Sequence, residues 1–432
     1  MKCMCLVLMS WLSRTLVTAM NLDDIFTVNH KEVLDKKLKV YIYDLPSSMN
    51  HDIVQHAIKH YGYRNCMSLN NAGMGDELFT LGENDELSIR NTDQFALEVI
   101  IHNKLLKSSF RTLDPDEADI FYIPAYVGTH CVYHNNYYFT SKSEQLILNL
   151  TDFLQSQKYF RQGKPHFSTI SHIHREMALH FCPYLTYNIT HNITFLAIEK
   201  WSKPNDEAIM KSAAQSINVI PYPSFVHLVT ENLSEKLPIP DLDHRDVFLF
   251  FPAGLMCSND LRCKIMEQFN LRTTLSYEEF KNQRLSTDMV LFQVSTCDNN
   301  TDRNLVPWMQ HSVFCLQPPG DSPTRKSFYD SLMSGCIPVI FGNHSVHYAF
   351  SSYLDFSKFT VSMPTDIVYD SNNGIYEFLR NTDRETIVQL HTSLLKIVKY
   401  MQYSISNGEI EEPDDALKII FAELAEKLLS EP

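Results

Sequence analysis

The chain has 432 residues, which is too long for one ordinary domain and long enough for two. Its 51 acidic and 37 basic residues give a net charge of −14, which argues against nucleic acid or an anionic membrane surface as the main partner. Hydrophobic residues make up 44% of the chain and aromatic residues 12%, a composition that excludes general disorder.

Residues 1–19 have the pattern of a targeting segment. Lys2 precedes an apolar run over residues 3–12, and small residues follow up to a cleavage point after Ala19. The run is too short for a comfortable membrane span, so we favour a signal peptide, with a short signal anchor as the alternative. We therefore predict the secretory pathway, in the Golgi lumen. Six glycosylation sequons fit this location and begin at Asn149, Asn188, Asn192, Asn232, Asn299 and Asn343.

The cysteines fit the same oxidising compartment. Ten are present, and removing the two in the targeting segment leaves an even set whose pairing cannot be deduced from sequence. Cys257 and Cys263 are the closest pair and predict a local disulfide. Cys315 and Cys336 lie in apolar runs, where we expect free thiols packed in the core. No Cys-X-X-Cys pair is present, so the cysteines do not predict a zinc site.

Strand and helix patterns alternate over residues 38–234, as in an α/β domain. Residues 38–46 predict a strand that ends at a proline. Residues 92–106 have apolar side chains at helical spacing, with Asn91 or Thr92 as the N-cap. Residues 114–117 then predict a one-turn helix that leads into a buried strand.

Residues 164–180 predict a strand followed by a polar loop rich in histidine. His172, His174 and Glu176 lie in this loop, and each side chain is of a type that can act as a general base. His172 and His174 could instead form a zinc pair, but a third ligand is missing nearby in the sequence. We therefore predict no metal at this loop.

A polar linker, residues 235–243, separates this domain from a second one over residues 244–380. Asp241 and Asp243 have the spacing of a metal-binding Asp-X-Asp, but a solvated linker explains them better. After the first strand of the second domain comes Arg262, which is either a diphosphate ligand or a surface charge at a helix start. Residues 384–432 predict C-terminal helices.

Residues 311–343 predict a strand, a turn, a helix and a second strand. The apolar run over residues 312–316 ends at two prolines and a glycine. Ser322 is predicted as the N-cap and Pro323 as the first helical residue. Gly335 ends the helix, and residues 336–341 follow as a strand covered on both faces.

This unit predicts an anion site, because free N–H groups and the helix dipole lie beyond the carboxyl edge of the sheet. Asp330, further along the helix, could accept hydrogen bonds from a ribose. A capped strand–helix–strand unit without a ligand explains the same spacing equally well. The residues at the predicted site, which suits a diphosphate, are Gly320, Ser322, Thr324, Arg325 and Lys326.

The run FCLQPPGDSPTRKSFYDSLMSGCIPVIF, residues 314–341, resembles the donor-sugar motif of the exostosin-like glycosyltransferases, which include heparan-sulfate polymerases and plant cell-wall transferases. Residues 38–46, 219–223 and 246–254 are similar to other stretches of that family. The resemblance implies two facing Rossmann-like α/β domains of the GT-B type with an interdomain cleft. It places the acceptor on the first domain and the nucleotide sugar on the second.

The resemblance also implies a reaction, an inverting transfer from a nucleotide sugar, a UDP-sugar, to a glycan acceptor. We predict no required cofactor, because the helix start and the basic residues Arg262 and Arg325 can stabilise the departing diphosphate without a metal. The net charge of −14 predicts no nucleic-acid partner. A homo- or heterodimer with another transferase is a further expected partner. The donor-binding residues implied are Arg262, Gly320, Asp321, Ser322, Pro323, Thr324, Arg325 and Asp330.

One position departs from the family pattern. Family members carry Ser-His-Asp after a His-Phe strand, and here Ser171 and His172 match while Ile173 replaces the acid. The base is therefore open between His172, His174 and Glu176. The departure also supports a second hypothesis, a catalytically silent member that serves as a structural subunit of a glycosyltransferase complex.

Overall fold

The computed structural model describes residues 21–61, 67–134, 139–179, 181–200, 204–233, 236–253, 260–269, 289–294, 305–320, 322–342, 348–370, 374–406, 408, 412 and 414–429. The predicted targeting segment, Cys257, Asp321 and the sequons at Asn299 and Asn343 lie outside these residues. Within the described part of the chain, no helix combines the length and apolar character needed to cross a membrane.

The chain divides into two compact units. The N-terminal unit contains Glu32–Pro238, His347–Phe350 and Lys399–Pro432. The C-terminal unit contains the chain up to Lys31 together with Ile239–Val346 and Ser351–Val398. Of the two predicted C-terminal helical segments, the first belongs to the C-terminal unit and the second to the N-terminal unit.

A six-stranded parallel sheet forms the centre of the N-terminal unit, in the order β4-β1-β5-β6-β7-β8. β5 and β6 are buried along their whole length, because helices cover parallel sheets on both faces. The strands are β1 Val40–Ile42, β4 Arg111–Thr112, β5 Ile120–Ile123, β6 His166–Ile170, β7 Thr194–Ala197 and β8 Ile217–Val219.

Eight α-helices of the described residues belong to this unit or to the segment that precedes it. The bounds are α1 His30–Leu34, α2 His51–Tyr61, α3 Leu97–Lys107, α4 Val127–Tyr133, α5 Ser141–Ser156, α6 Lys158–Arg161, α7 Glu207–Ser212 and, near the C-terminus, α14 Ala416–Leu429. The N-cap of α3 is Ala96, so the predicted N-cap at Asn91 or Thr92 was wrong. Thr92 instead donates its hydroxyl to the Met74 carbonyl at 2.7 Å.

A second, antiparallel sheet of three strands was not predicted. Its order is β2-β3-β9, with β2 Glu77–Leu81, β3 Leu87–Arg90 and β9 Val226–Leu228. Residues 50–90 are mixed in polarity, so their strands lack a clear apolar alternation. The third strand comes from far along the chain, and local sequence patterns do not indicate such a partner.

A five-stranded parallel sheet forms the centre of the C-terminal unit, in the order β11-β10-β12-β13-β14. These strands are β10 Val247–Ala253, β11 Met289–Val294, β12 Ser312–Gln317, β13 Ile337–Phe341 and β14 Val361–Met363. The helices are α8 Asp260–Phe269, α9 Val306–Gln310, α10 Lys326–Met333, α11 Thr365–Asp370, α12 Gly374–Arg380 and α13 Arg384–Ile397. The expectation of two Rossmann-like α/β units is therefore confirmed.

Two disulfides are present among the described residues. Cys131 bonds to Cys182 in the N-terminal unit. Cys315 bonds to Cys336 in the C-terminal unit, so the expectation that both are free thiols was wrong. Parallel pairing explains this bond, because Cys315 lies opposite Pro338 and therefore close to the residue just before β13.

Candidate active site

The predicted strand–turn–helix–strand unit is present as β12, α10 and β13. Its helix begins at Lys326, with Arg325 as the N-cap in an extended conformation, so the predicted start at Ser322 and Pro323 was wrong. Ser322 and Pro323 form a bend instead. The Gly320 N–H donates to the Ser322 carbonyl at 3.0 Å. The Arg325 side chain makes no cap hydrogen bond to the first turn of the helix.

This helix start lies at the reversal point of the sheet. β10 has β11 on one side and β12 on the other, so the strand order changes direction there. Ligands of open parallel sheets bind beyond the carboxyl ends of the strands at such a point. Both the loop after β12 and α8, which carries Arg262 in its first turn, follow strands at this reversal.

The Thr324 hydroxyl is an exception to the usual pairing of buried polar groups. Thr324 is 3% exposed, and its Oγ1 has no hydrogen-bond partner among the described residues. Buried hydroxyls nearly always have a partner, so an orphan one is a sign of a missing ligand or water. Pro323 beside it is also buried, while Ser322 and Arg325 are partly exposed.

Gln317 fixes the first turn of α10 and was missed by the sequence reasoning. It is the last residue of β12 and is 2% exposed. Its Oε1 accepts a hydrogen bond from the Ser327 hydroxyl at 2.7 Å, and its Nε2 donates to the Ser327 carbonyl at 3.2 Å. A glutamine at the end of an apolar strand was the available signal, since a buried amide needs several partners.

Asp330 forms a buried ion pair with Lys326 on α10. The Lys326 Nζ lies 3.1 Å from Oδ1, and the two side chains are 7% and 3% exposed. The i,i+4 spacing places them on one helix face, one turn apart. A ribose at this position would have to share the Asp330 carboxylate with Lys326. The pair therefore also places a cation within one turn of the helix start.

The Arg245 side chain stabilises the β12–α10–β13 motif by hydrogen bonds, and the sequence did not indicate this role. The side chain is 5% exposed. Its Nη1 donates to the carbonyls of Ser312 at 2.7 Å and Met309 at 3.0 Å. Its Nη2 donates to the Ser334 carbonyl at 2.9 Å. One guanidinium thus ties the start of β12 to the end of α10.

The three predicted base candidates follow β6 in the N-terminal unit, and the structure gives each a different environment. The His172 ring stacks on Phe95 with centroids 4.5 Å apart, and its Nδ1 accepts the Ile173 N–H at 3.1 Å. In the neutral ring the proton is then on Nε2, which makes that atom a donor. Ile173 itself is 8% exposed, an apolar side chain packed where the family has an acid.

His174 is buried at 3% exposure, and its Nε2 donates to the Ala214 carbonyl at 2.9 Å. Burial lowers the pKa of His174 to about 4, so the ring is neutral at pH 7. Glu176 is partly exposed and accepts a hydrogen bond from Nη1 of Arg175 at 2.7 Å. Of the three side chains, Glu176 is the one that combines partial exposure to solvent with carboxylate oxygens that can accept a proton.

A buried carboxylate that the sequence reasoning did not identify supports this loop. Glu98 on α3 is 1% exposed and accepts the N–H groups of Gly128 and Thr129, each at 2.8 Å, at the start of α4. Its own N–H donates to the Ser171 hydroxyl at 2.9 Å, directly before His172. Burial raises the pKa of Glu98 to about 7, while these hydrogen bonds act in the opposite direction.

The donor-binding candidates therefore lie in the C-terminal unit and the base candidates in the N-terminal unit. Gly320, Ser322, Pro323, Thr324, Arg325 and Asp330 come together around the start of α10. Within the described residues, no group of three His, Cys, Asp or Glu side chains is arranged to hold a metal ion. Asp243, from the Asp-X-Asp of the linker, pairs with Arg384.

A family model described as the exostosin GT47 domain matches residues 34–375. Two Arabidopsis thaliana proteins named probable xyloglucan galactosyltransferases GT20 and GT17 are each 27% identical to the chain, over 399 and 423 residues. These alignments cover 90% and 93% of this chain and 67% and 85% of the relatives. A xyloglucan-specific galacturonosyltransferase of the same plant is 26% identical, with 90% of this chain and 57% of the relative aligned.

A solved alpha-glucosyltransferase in complex with UDP-glucose and DNA aligns with a TM-score of 0.37 and 12% identity. That alignment covers 66% of this chain and 77% of the other.

Proposed function

This chain belongs to the exostosin GT47 family of glycosyltransferases, and we propose that it transfers galactose from UDP-galactose to a xyloglucan-type glycan with inversion at the anomeric carbon. The names of the relatives support the sugar and the acceptor, with galacturonic acid as the alternative donor sugar. The orphan hydroxyl of Thr324 at the start of α10 is the observation that supports donor binding at this place.

In the proposed complex the diphosphate lies against the first turn of α10. The N–H groups of that turn and the helix dipole favour an anion. Arg325 adds a guanidinium at the N-cap, and Lys326 adds an ammonium one residue later. Arg262, after the neighbouring strand, is a further cation for the same diphosphate. We propose that these groups stabilise the leaving diphosphate without a required metal.

In the proposed reaction an acceptor hydroxyl oxygen attacks the anomeric carbon of the sugar. The bond from that carbon to the diphosphate oxygen breaks, and both electrons leave with UDP. The hydroxyl proton passes to a general base, for which we propose Glu176 because its carboxylate is partly exposed and is held by a hydrogen bond from Arg175. Attack opposite the leaving group converts the α-linked donor sugar into a β-linked product.

The test is a transfer assay with UDP-galactose and a xyloglucan oligosaccharide, with UDP-galacturonic acid as the second donor. The expected product is an oligosaccharide one galactose longer, whose new linkage is β by proton NMR. An α linkage would refute the inverting step. If neither donor gives a transfer product and no slow release of UDP is detected, the result would instead favour the silent structural subunit that Ile173 suggests.

The location we propose is the Golgi lumen. Two disulfides among the described residues support an oxidising compartment. The sequon residues Asn149, Asn188 and Asn192 are exposed, as glycan attachment requires. A shift in gel mobility after glycosidase treatment of the protein from a eukaryotic host would test this location, and an unshifted band would count against it.

A further inference from the structure

The N-terminal unit contains a pocket of about 590 Å³ beside the carboxyl end of β1. Its lining includes Asp44, in the loop after β1, and His51, at the start of α2. His102 on α3 and Arg111 on β4 close the other side. This volume lies within the range of about 300–1,000 Å³ that is usual for small-molecule sites.

The pocket adjoins the reversal point of the six-stranded sheet. β1 has β4 on one side, and β5 begins the run of later strands on the other side. The residues that follow β1 therefore lie at the place where open α/β sheets bind ligands. The strand order and the cavity are therefore two separate observations that indicate the same place.

Polar groups of both charges line the pocket. Asp44 and Arg111 are exposed, one an acceptor and the other a multiple donor. The rings of His51 and His102 lie 5.9 Å apart, and the His102 Nδ1 lies 2.8 Å from the Tyr126 hydroxyl. That hydrogen bond orients the His102 ring.

An apolar surface completes the pocket. Leu113 lines it and is 78% exposed, although it is a large hydrophobic residue directly after β4. Exposed apolar side chains beside convergent polar groups are typical of ligand sites. A sugar ring matches this combination, because it has hydroxyls around its rim and C–H groups on its faces.

We propose that this pocket binds a sugar unit of the glycan acceptor, with Asp44 and Arg111 as hydrogen-bonding partners of its hydroxyls. This inference rests on the proposed function and adds to it a binding site on the acceptor side. Leu113 packs against the apolar face of the same sugar, and His51 and His102 set the width of the pocket.

Two variants test this assignment, Asp44→Asn and Arg111→Ala. Both positions are exposed, and among the described residues the Arg111 side chain makes a single hydrogen bond, from Nη1 to the Leu106 carbonyl at 3.1 Å. The matched controls are Asp152→Asn and Arg161→Ala, which are exposed positions of the same unit that do not line the pocket. Each protein is assayed for the KM of the xyloglucan oligosaccharide and of UDP-galactose, and for oligosaccharide binding by calorimetry.

The expected result is a rise of about tenfold or more in the KM and Kd of the oligosaccharide for each pocket variant, with the KM of UDP-galactose unchanged. The controls should match the wild type. Unchanged oligosaccharide binding in both pocket variants would overturn the pocket and leave the transfer function standing. A wild type that binds the oligosaccharide through this pocket but transfers nothing would support the pocket and refute the transfer function. A wild type that binds no oligosaccharide would overturn the pocket.

Discussion

Gly335 lies so close to Arg245 that a Cβ at position 335 would overlap the Nη2 atom of the guanidinium. Gly335 follows α10 with φ at +69°, a left-handed conformation that favours glycine. The close approach lets Arg245 reach the Ser334 carbonyl at the end of the helix. The position of the helix that carries the proposed donor site therefore depends on the absence of a side chain at residue 335.

Gly335→Ala should destabilise the C-terminal unit through the left-handed backbone and through the displacement of Arg245 and Ile239, which the new Cβ would approach equally closely. Gly163→Ala is the matched control, because Gly163 has the same φ of +69° and no atom within 4 Å of the new Cβ. The control should lose only the backbone preference, about 1–2 kcal/mol. Calorimetric melting of both variants checks this difference, and an equal loss in the two would show that the contact with Arg245 is unimportant.

Removal of the Cys315–Cys336 disulfide should lower stability by about 3 kcal/mol, because the bond closes a loop with a sequence separation of 21. The double variant Cys315→Ala and Cys336→Ala is compared with the wild type by urea unfolding. The same double variant measured with and without reducing agent controls for the other disulfide. A variant as stable as the wild type would contradict the prediction.

A cluster of stacked imidazoles predicts loss of stability in acid. The rings of His56 and His134 are 3.8 Å apart, and those of His130 and His134 are 4.5 Å apart. Burial lowers the pKa of His130 and of His134 to about 4, and the nearby His56 ring and Lys142 add to the shift. Lys59 is a further cation that faces His56.

The ordinary histidine pKa is 6.5, so the unfolded chain binds more protons than the folded one between pH 6.5 and pH 4. Stability should therefore fall as the pH falls through this window. The variant His130→Asn with His134→Asn should flatten the dependence of the urea midpoint on pH. His191→Asn, an exposed histidine of the same unit, should leave it unchanged. An equally steep dependence in the double variant would rule out the cluster as its source.

Glu176→Gln should lower kcat by about 100-fold or more if the carboxylate accepts the proton of the acceptor hydroxyl. The KM of UDP-galactose should not change, since Glu176 belongs to the N-terminal unit. His172→Gln is the comparison, because its Nε2 acts as a donor and its loss should have the smaller effect. Steady-state kinetics of both variants decides between them, and a larger effect at His172 would reverse the assignment.

Chelation of metal ions should leave the transfer rate unchanged, because the proposal assigns the diphosphate charge to Arg325, Lys326 and the first-turn N–H groups. The assay is run with and without EDTA after dialysis. An activity that disappears with EDTA and returns with Mn²⁺ or Mg²⁺ would show that the side chains are insufficient.

The sequence predicted the strand–helix–strand unit around α10 because its strands are continuous apolar runs and its turn contains two prolines and a glycine. The start of the helix was predicted three residues too early. Ser322-Pro323 has the usual composition of a helix start, but the contact between Gln317 and Ser327 places that start at Lys326. Such a contact links residues ten positions apart and has no local signature.

Arg245 and Glu98 were missed for a related reason. Each is a charged side chain whose partners are backbone groups of other segments, the carbonyl of Ser334 in one case and the N–H of Gly128 in the other. Charge in a sequence normally indicates an exposed position. Only the three-dimensional structure reveals that these two are buried and paired.

Titration of UDP by calorimetry into the wild type and Thr324→Val tests the proposed donor site most directly. The variant keeps the shape of the side chain and removes the buried hydroxyl that has no partner among the described residues, so the unliganded protein should melt at least as high as the wild type. Thr392→Val, on α13, is the control and should bind UDP normally. We predict that Thr324→Val weakens UDP binding by about fivefold or more. Wild-type affinity in Thr324→Val would contradict a donor site at the start of α10.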